Sequence, residues 1–215
     1  MINGVQLKVC GLTRAEDAAA AANLGADFLG FIFYPKSPRH VGVERYTTLR
    51  AHLPTGVKRV AVCVAPTPAE LAELATLGFD AFQVHFPVEI AAGIVNSWAE
   101  TVGTSRLWLA PKLPPSEDAR PTWLAISAAV LLDTFHADKF GGTGETGDWA
   151  KFRRHAETYP RTTWILSGGL RPENVRAALA ATGARFLDVN SGVESAPGLK
   201  DATKLAALAA ALRGA

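Results

Sequence analysis

The stretch TWILSGGLRPENVRAALAATGARFLDVN, residues 163–190, reads as strand, turn, helix and strand in succession. Residues 163–167 are a short run ending in Ser167, and Gly168 and Gly169 break it. Pro172 stands where the first turn of a helix tolerates a proline, and Val175, Ala178 and Leu179 follow at helical spacing. Residues 186–190 return to an apolar run. Runs that are apolar at nearly every position, without alternation, are expected of strands covered on both faces in a parallel sheet.

The same unit recurs towards the N-terminus. Strands are predicted at residues 5–10, 28–34, 57–64, 81–86, 106–112 and 129–133, which with the two above makes eight. Between them, Thr13 followed by Glu16 predicts a capping box opening an alanine-rich helix that stops near Gly25. Leu71, Leu74 and Ala75 share one face of a helix ending near Gly78, and Leu205, Leu208 and Leu212 form a stripe near the C-terminus. Weaker helices are predicted at 43–52, 88–101, 117–126 and 148–159, with a proline-rich loop at 111–121. Eight strand–helix pairs over 215 residues predict one α/β domain spanning residues 1–215, a (β/α)8 TIM barrel. The rival, an open doubly wound sheet, would need some runs to be non-strands. It usually carries GxGxxG after its first strand, where this chain has CGLT.

Twenty-two Lys and Arg against 20 Asp and Glu leave a net charge of +2, too little to point to nucleic acid or a membrane surface. A phosphorylated small molecule needs only a local cluster of donors. The N-terminus has no basic segment followed by an apolar one, and charges bracket the most apolar stretch, so the expectation is a soluble cytoplasmic protein without a membrane span. Two cysteines, Cys10 and Cys63, are too few for a zinc ribbon or disulfide framework.

In a barrel, chemistry collects where strands end. There the chain places Cys10, Arg39 beyond Tyr34-Pro35-Lys36-Ser37-Pro38, Gln83 and His85 on strand four, Asp133, and Asp188. Glycine turns follow strands seven (Gly168, Gly169) and eight (Ser191, Gly192), and a third cluster, with Gly141 and Gly142, follows strand six. Glycines let backbone N–H groups approach an anion, and the loops after the last two strands are a common phosphate site. Cys10 and Asp133 are the candidates for proton transfer. A nearby helix N-terminus and Lys8 are expected to lower the Cys10 pKa, and desolvation to raise that of Asp133 so that it serves as a general acid. Cys63, inside strand three, reads as a small buried hydrophobe. Arg39 has a planar fork suited to a substrate carboxylate. His85 lacks a second histidine at metal-ligand spacing. Asp188 suits either a substrate hydroxyl or a structural bond in the barrel mouth.

The segments KVCGLT (8–13), GADFLGFIFYPKSPR (25–39), LLDT (131–134), GGTGETGDW (141–149), LSGGLRPENV (166–175) and DVNSGVESAPGLKD (188–201) resemble, in order and spacing, the phosphoribosylanthranilate isomerase family. The resemblance spans all eight predicted strands. It implies a (β/α)8 barrel and an Amadori rearrangement of N-(5'-phosphoribosyl)anthranilate without cofactor or metal. It also implies Cys10 as general base, Asp133 as general acid and Arg39 as the partner of the anthranilate carboxylate. The family's QLHG on strand four reads Gln83-Val84-His85-Phe86-Pro87 here, and Asn190 stands where serine is frequent.

Three other readings compete. One is the related isomerase of histidine biosynthesis, which has an aspartate where this chain has Cys10. Another is a non-catalytic sugar-phosphate-binding subunit. The third is a lyase built on Lys8 or Lys112. The oligomeric state is left as monomer or homodimer.

Overall fold

The computed structural model describes residues 1–134 and 147–214. Eight parallel strands form a closed barrel in sequence order. They are β1 (Gln6–Val9), β2 (Phe28–Ile32), β3 (Lys58–Val64), β4 (Ala81–Pro87), β5 (Leu107–Lys112), β6 (Ala129–Leu132), β7 (Trp164–Leu166) and β8 (Phe186–Val189). The ring closes through β1 on β8, with Lys8 opposite Asp188. Helices α1 (Ala15–Leu24), α2 (Val43–Arg50), α3 (Pro68–Ala75), α4 (Ala92–Val102), α5 (Pro121–Ala125), α6 (Trp149–Thr158), α7 (Val175–Thr182) and α8 (Ala202–Arg213) follow the strands in turn. Between β8 and α8 lies a short hairpin of β9 (Glu194–Ala196) and β10 (Leu199–Lys200), which the sequence reading did not foresee.

All eight predicted strands are present. Several stop short of the predicted C-terminal bounds, so Cys10, Asp133, Ser167 and Asn190 fall just beyond a strand end. Three local expectations fail. The Thr13–Glu16 capping box does not form: α1 has Arg14 at its N-cap without a side-chain capping bond, and the Thr13 hydroxyl donates to the Gly198 carbonyl at 2.6 Å. A capping box occurs instead on α3, where Thr67 and Glu70 satisfy each other. Pro172 lies in the turn before α7 rather than in its first turn. The segment predicted as helix from 117 narrows to α5, and Pro111 and Lys112 belong to β5.

Side chains alternate between two cores. Leu7, Val9, Leu29 and Phe31 face the helices. Cys10, Phe28, Val60, Val62, Trp108, Leu131, Ile165 and Phe186 fill the barrel. At the strand starts, Phe28, Trp108 and Phe186 pack ring on ring, with centroids 5.0, 5.1 and 5.4 Å apart, and plug that end. Buried Gln83 and Asp188 line the opposite mouth. Phe186→Ala would open a cavity in the plug and is expected to cost about 3–5 kcal/mol. A melting temperature lowered by roughly 10 °C, with kcat unchanged well below the transition, would check this separation of stability from chemistry.

Candidate active site

One cavity in this mouth is lined by Cys10, Arg39, Gln83, His85, Asp133, Ser167, Asp188 and Asn190, together with Ile32, Tyr34, Ser37, Val62 and Val64. Both proton-transfer candidates and all four predicted substrate contacts therefore meet in one place. Ser167 and Asn190, which begin the two glycine turns, were not singled out from the sequence. Their position at strand ends was the signal available.

Beneath Cys10, the Lys8 ammonium lies 2.9 Å from both Asp188 oxygens, and Lys8 is fully buried. Gly30 makes room for this packing: a Cβ there would lie 3.0 Å from both Cys10 Sγ and Lys8 Cε. Burial alone would lower the Lys8 pKa, but the negative charge of Asp188 and the neighbouring Cys10 outweigh it, so Lys8 is held protonated. A lysine locked on a carboxylate is not the desolvated, neutral amine that Schiff-base chemistry requires, which removes the lyase reading on Lys8.

For Cys10 the expected direction is reversed. Burial pushes the thiol up and outweighs the pull of Lys8, so its pKa is raised. The sequence showed the lysine but not the depth of burial. Cys63 is likewise buried and pushed up to about 12, and both thiols are free. Asp133 behaves as expected. Desolvation raises it to about 6, against the Thr134 N–H, which donates to Oδ1 at 2.8 Å, and against the Ser167 hydroxyl. Burial, reinforced by Lys8, takes His85 down to about 3 and keeps it neutral. Its Nε2 lies 2.8 Å from Gln83 Nε2, while Gln83 Oε1 is buried without a partner among the described residues.

Arg39 is 8 % exposed and reaches over Gly11, where a Cβ would lie 2.7 Å from Arg39 Cδ and whose φ of +72° is one that L side chains rarely adopt. Its Nε and Nη2 donate to Glu194 at 2.7–3.1 Å. Glu194 also accepts from Lys200 Nζ at 2.8 Å and from the Gly198 N–H at 3.2 Å. Burial would raise Glu194, but Arg39 and Lys200 outweigh it and hold it ionised. Neither Glu194 nor Lys200 was chosen from the sequence. Opposite charges bracketing Pro197-Gly198 were the available sign of a hairpin that brings them together.

The turns after β7 and β8 lie against each other, since a Cβ on Gly192 would strike the Leu170 carbonyl. Gly168, at φ +92°, is held in place because a Cβ would strike Thr134. Gly168, Gly169, Ser191 and Gly192 therefore stand at one side of the mouth, next to the cavity rather than in its wall. Gly141 and Gly142 lie outside the described residues. Among the described residues no helix is long and apolar enough to cross a membrane.

A closed eight-stranded parallel barrel whose mouth gathers a buried thiol and a carboxyl of raised pKa defines an enzyme of the (β/α)8-barrel class. The chain belongs to the N-(5'-phosphoribosyl)anthranilate isomerase family, whose model matches residues 7–211. The N-(5'-phosphoribosyl)anthranilate isomerase of Syntrophus aciditrophicus is 39% identical over 97% of this chain and 87% of its own length. The crystal structure of phosphoribosyl anthranilate isomerase from Thermus thermophilus superposes with a TM-score of 0.79 at 35% identity, covering 98% of this chain and 99% of its own. A phosphoribosyl anthranilate isomerase in complex with reduced 1-(o-carboxyphenylamino)-1-deoxyribulose 5-phosphate matches with a TM-score of 0.74 at 30% identity, covering 98% and 100%.

Proposed function

We propose that this chain isomerises N-(5'-phosphoribosyl)anthranilate to 1-(2-carboxyphenylamino)-1-deoxyribulose 5-phosphate, a step of tryptophan biosynthesis, with Asp133 as acid and Cys10 as base. The carrying observation is that both groups line the cavity that also holds Arg39, Gln83, His85 and Asp188. Asp133 protonates the furanose ring oxygen and the ring opens to a protonated Schiff base. Cys10, as thiolate, takes the proton from the adjacent sugar carbon and leaves an enolamine. Tautomerisation returns one proton to carbon and releases one from the hydroxyl, so acid and base end as they began. The glycine turns after β7 and β8 are the proposed phosphate anchor, with the loop containing Gly141 and Gly142 as a third contributor. An anchor remote from the reacting carbons supplies orientation.

The protonation states shape the pH dependence. The working form has Asp133 protonated and Cys10 ionised, yet Asp133 titrates near 6 and the thiol above its ordinary value. That pairing is a minority form whose share is constant between the two pKa values. Below about pH 6 the species with both groups protonated takes over and the base is lost. Above the thiol pKa both groups are ionised and the acid is lost. Decay of anthranilate-substrate fluorescence on adding the protein tests the activity itself, and the same assay should show kcat/KM flat from neutrality up to the thiol pKa and falling tenfold per unit below about pH 6. Turnover of the aminoimidazole ribotide of histidine biosynthesis alone would reject the assignment.

A further inference from the structure

Arg39 presents two edges able to chelate a carboxylate, one formed by Nε and Nη2 and the other by Nη1 and Nη2. The sequence reading gave the whole fork to the substrate, but Glu194 holds the first edge through Nε at 3.0 Å and Nη2 at 2.7 Å. Among the described residues, no hydrogen bond or ion pair engages Nη1. Glu194 is itself immobilised. Lys200 Nζ and the Gly198 N–H bond its carboxylate, and Lys204 Nζ donates to its carbonyl at 2.7 Å. Lys200 Nζ also bonds the Asn190 side chain at 3.0 Å, and the Lys200 N–H donates to Asp17 at 3.1 Å. The hairpin thus ties the loops after β1, β2 and β8 into one unit. Arg39, Glu194, Lys200 and Asp17 are all buried in this unit, and Arg39 lines the cavity.

We propose that Glu194 is a positioning residue that sets specificity: by occupying the Nε–Nη2 edge of Arg39, it fixes the guanidinium so that only the Nη1–Nη2 edge is available, and that edge selects substrates bearing an aromatic carboxylate. This rests on the substrate assigned above. Because the edge is preset, a ligand gains its two charge-assisted bonds without ordering a long side chain.

The test compares two reduced product analogues, one carrying the 2-carboxyphenylamino group and one a plain phenylamino group, by calorimetric binding. The wild type should prefer the carboxylate by on the order of 10–100-fold. In Glu194→Gln the preference should shrink to about threefold or less, KM should rise about tenfold or more and kcat should stay within roughly threefold. Glu194→Asp should recover part of the preference. If Glu194→Gln folds poorly, Glu194→Gln/Lys200→Met removes one charge of each sign and should give the same loss. A folded variant that keeps the wild-type preference overturns the positioning role alone. A wild type that shows no preference and no turnover overturns the substrate reading together with it.

Discussion

Asp133→Asn is expected to lower kcat by about 10²–10⁴-fold while raising the stability of the fold at neutral pH. The first effect follows from removing the proton that opens the ring. The second follows from linkage. Asp133 has a folded pKa near 6, above that of a free carboxylate, so the folded state prefers the protonated form. As pH rises from about 4 to 6, the unfolded chain ionises freely while the folded chain resists, and stability is lost. Above pH 6 the penalty is complete, and asparagine avoids it. Thermal melts should place the variant a few degrees above wild type at pH 7–8, with the gap closing below about pH 4. A variant no more stable at pH 8 than wild type would mean that the carboxylate is not desolvated as described. A variant with near-normal kcat would remove Asp133 from the chemistry.

Cys10→Ser should bring a comparable loss, about 10²–10⁴-fold in kcat, because a serine hydroxyl in the same place ionises far less readily than a thiol. The change is nearly isosteric, so the reduced carboxyphenyl analogue should bind within about threefold of wild type, placing the loss in chemistry rather than in recognition. Burial has already raised the thiol, and Lys8 counters that rise from within the barrel. A hydroxyl would need a far larger correction than one lysine provides. A serine variant turning over within a few-fold of wild type would show that another group takes the proton.

Much of this was open to inspection in the chain. Barrel strands are covered on both faces, so their runs stand out, and the rule that chemistry gathers at strand ends leads to Cys10, Asp133 and Asp188. What the sequence concealed shares one cause, that the deciding partner is far away along the chain. The pattern from Thr13 to Glu16 reads locally as a cap, yet the hydroxyl is claimed by a carbonyl 185 positions on. Arg39 reads as an open fork, yet one edge belongs to a carboxylate 155 positions away. For Cys10 the neighbouring lysine is visible in the sequence, and it does pull the thiol pKa down. The burial that outweighs it comes from all eight strands together, and no local window contains it.

Closure of the ring through β1 and β8 also bears on how the chain can be made. Lys8 emerges from the ribosome long before Asp188, its counter-ion 180 positions later. Until the last strand docks, an ammonium waits without its partner and two rims of unpaired peptide groups stand open, the kind of edge on which chains stick to one another. A shortened copy ending before residue 186 would keep both liabilities permanently. The same pairing that finishes the wall also neutralises the lysine under the thiol, so the barrel and the floor of its polar mouth are completed in one step.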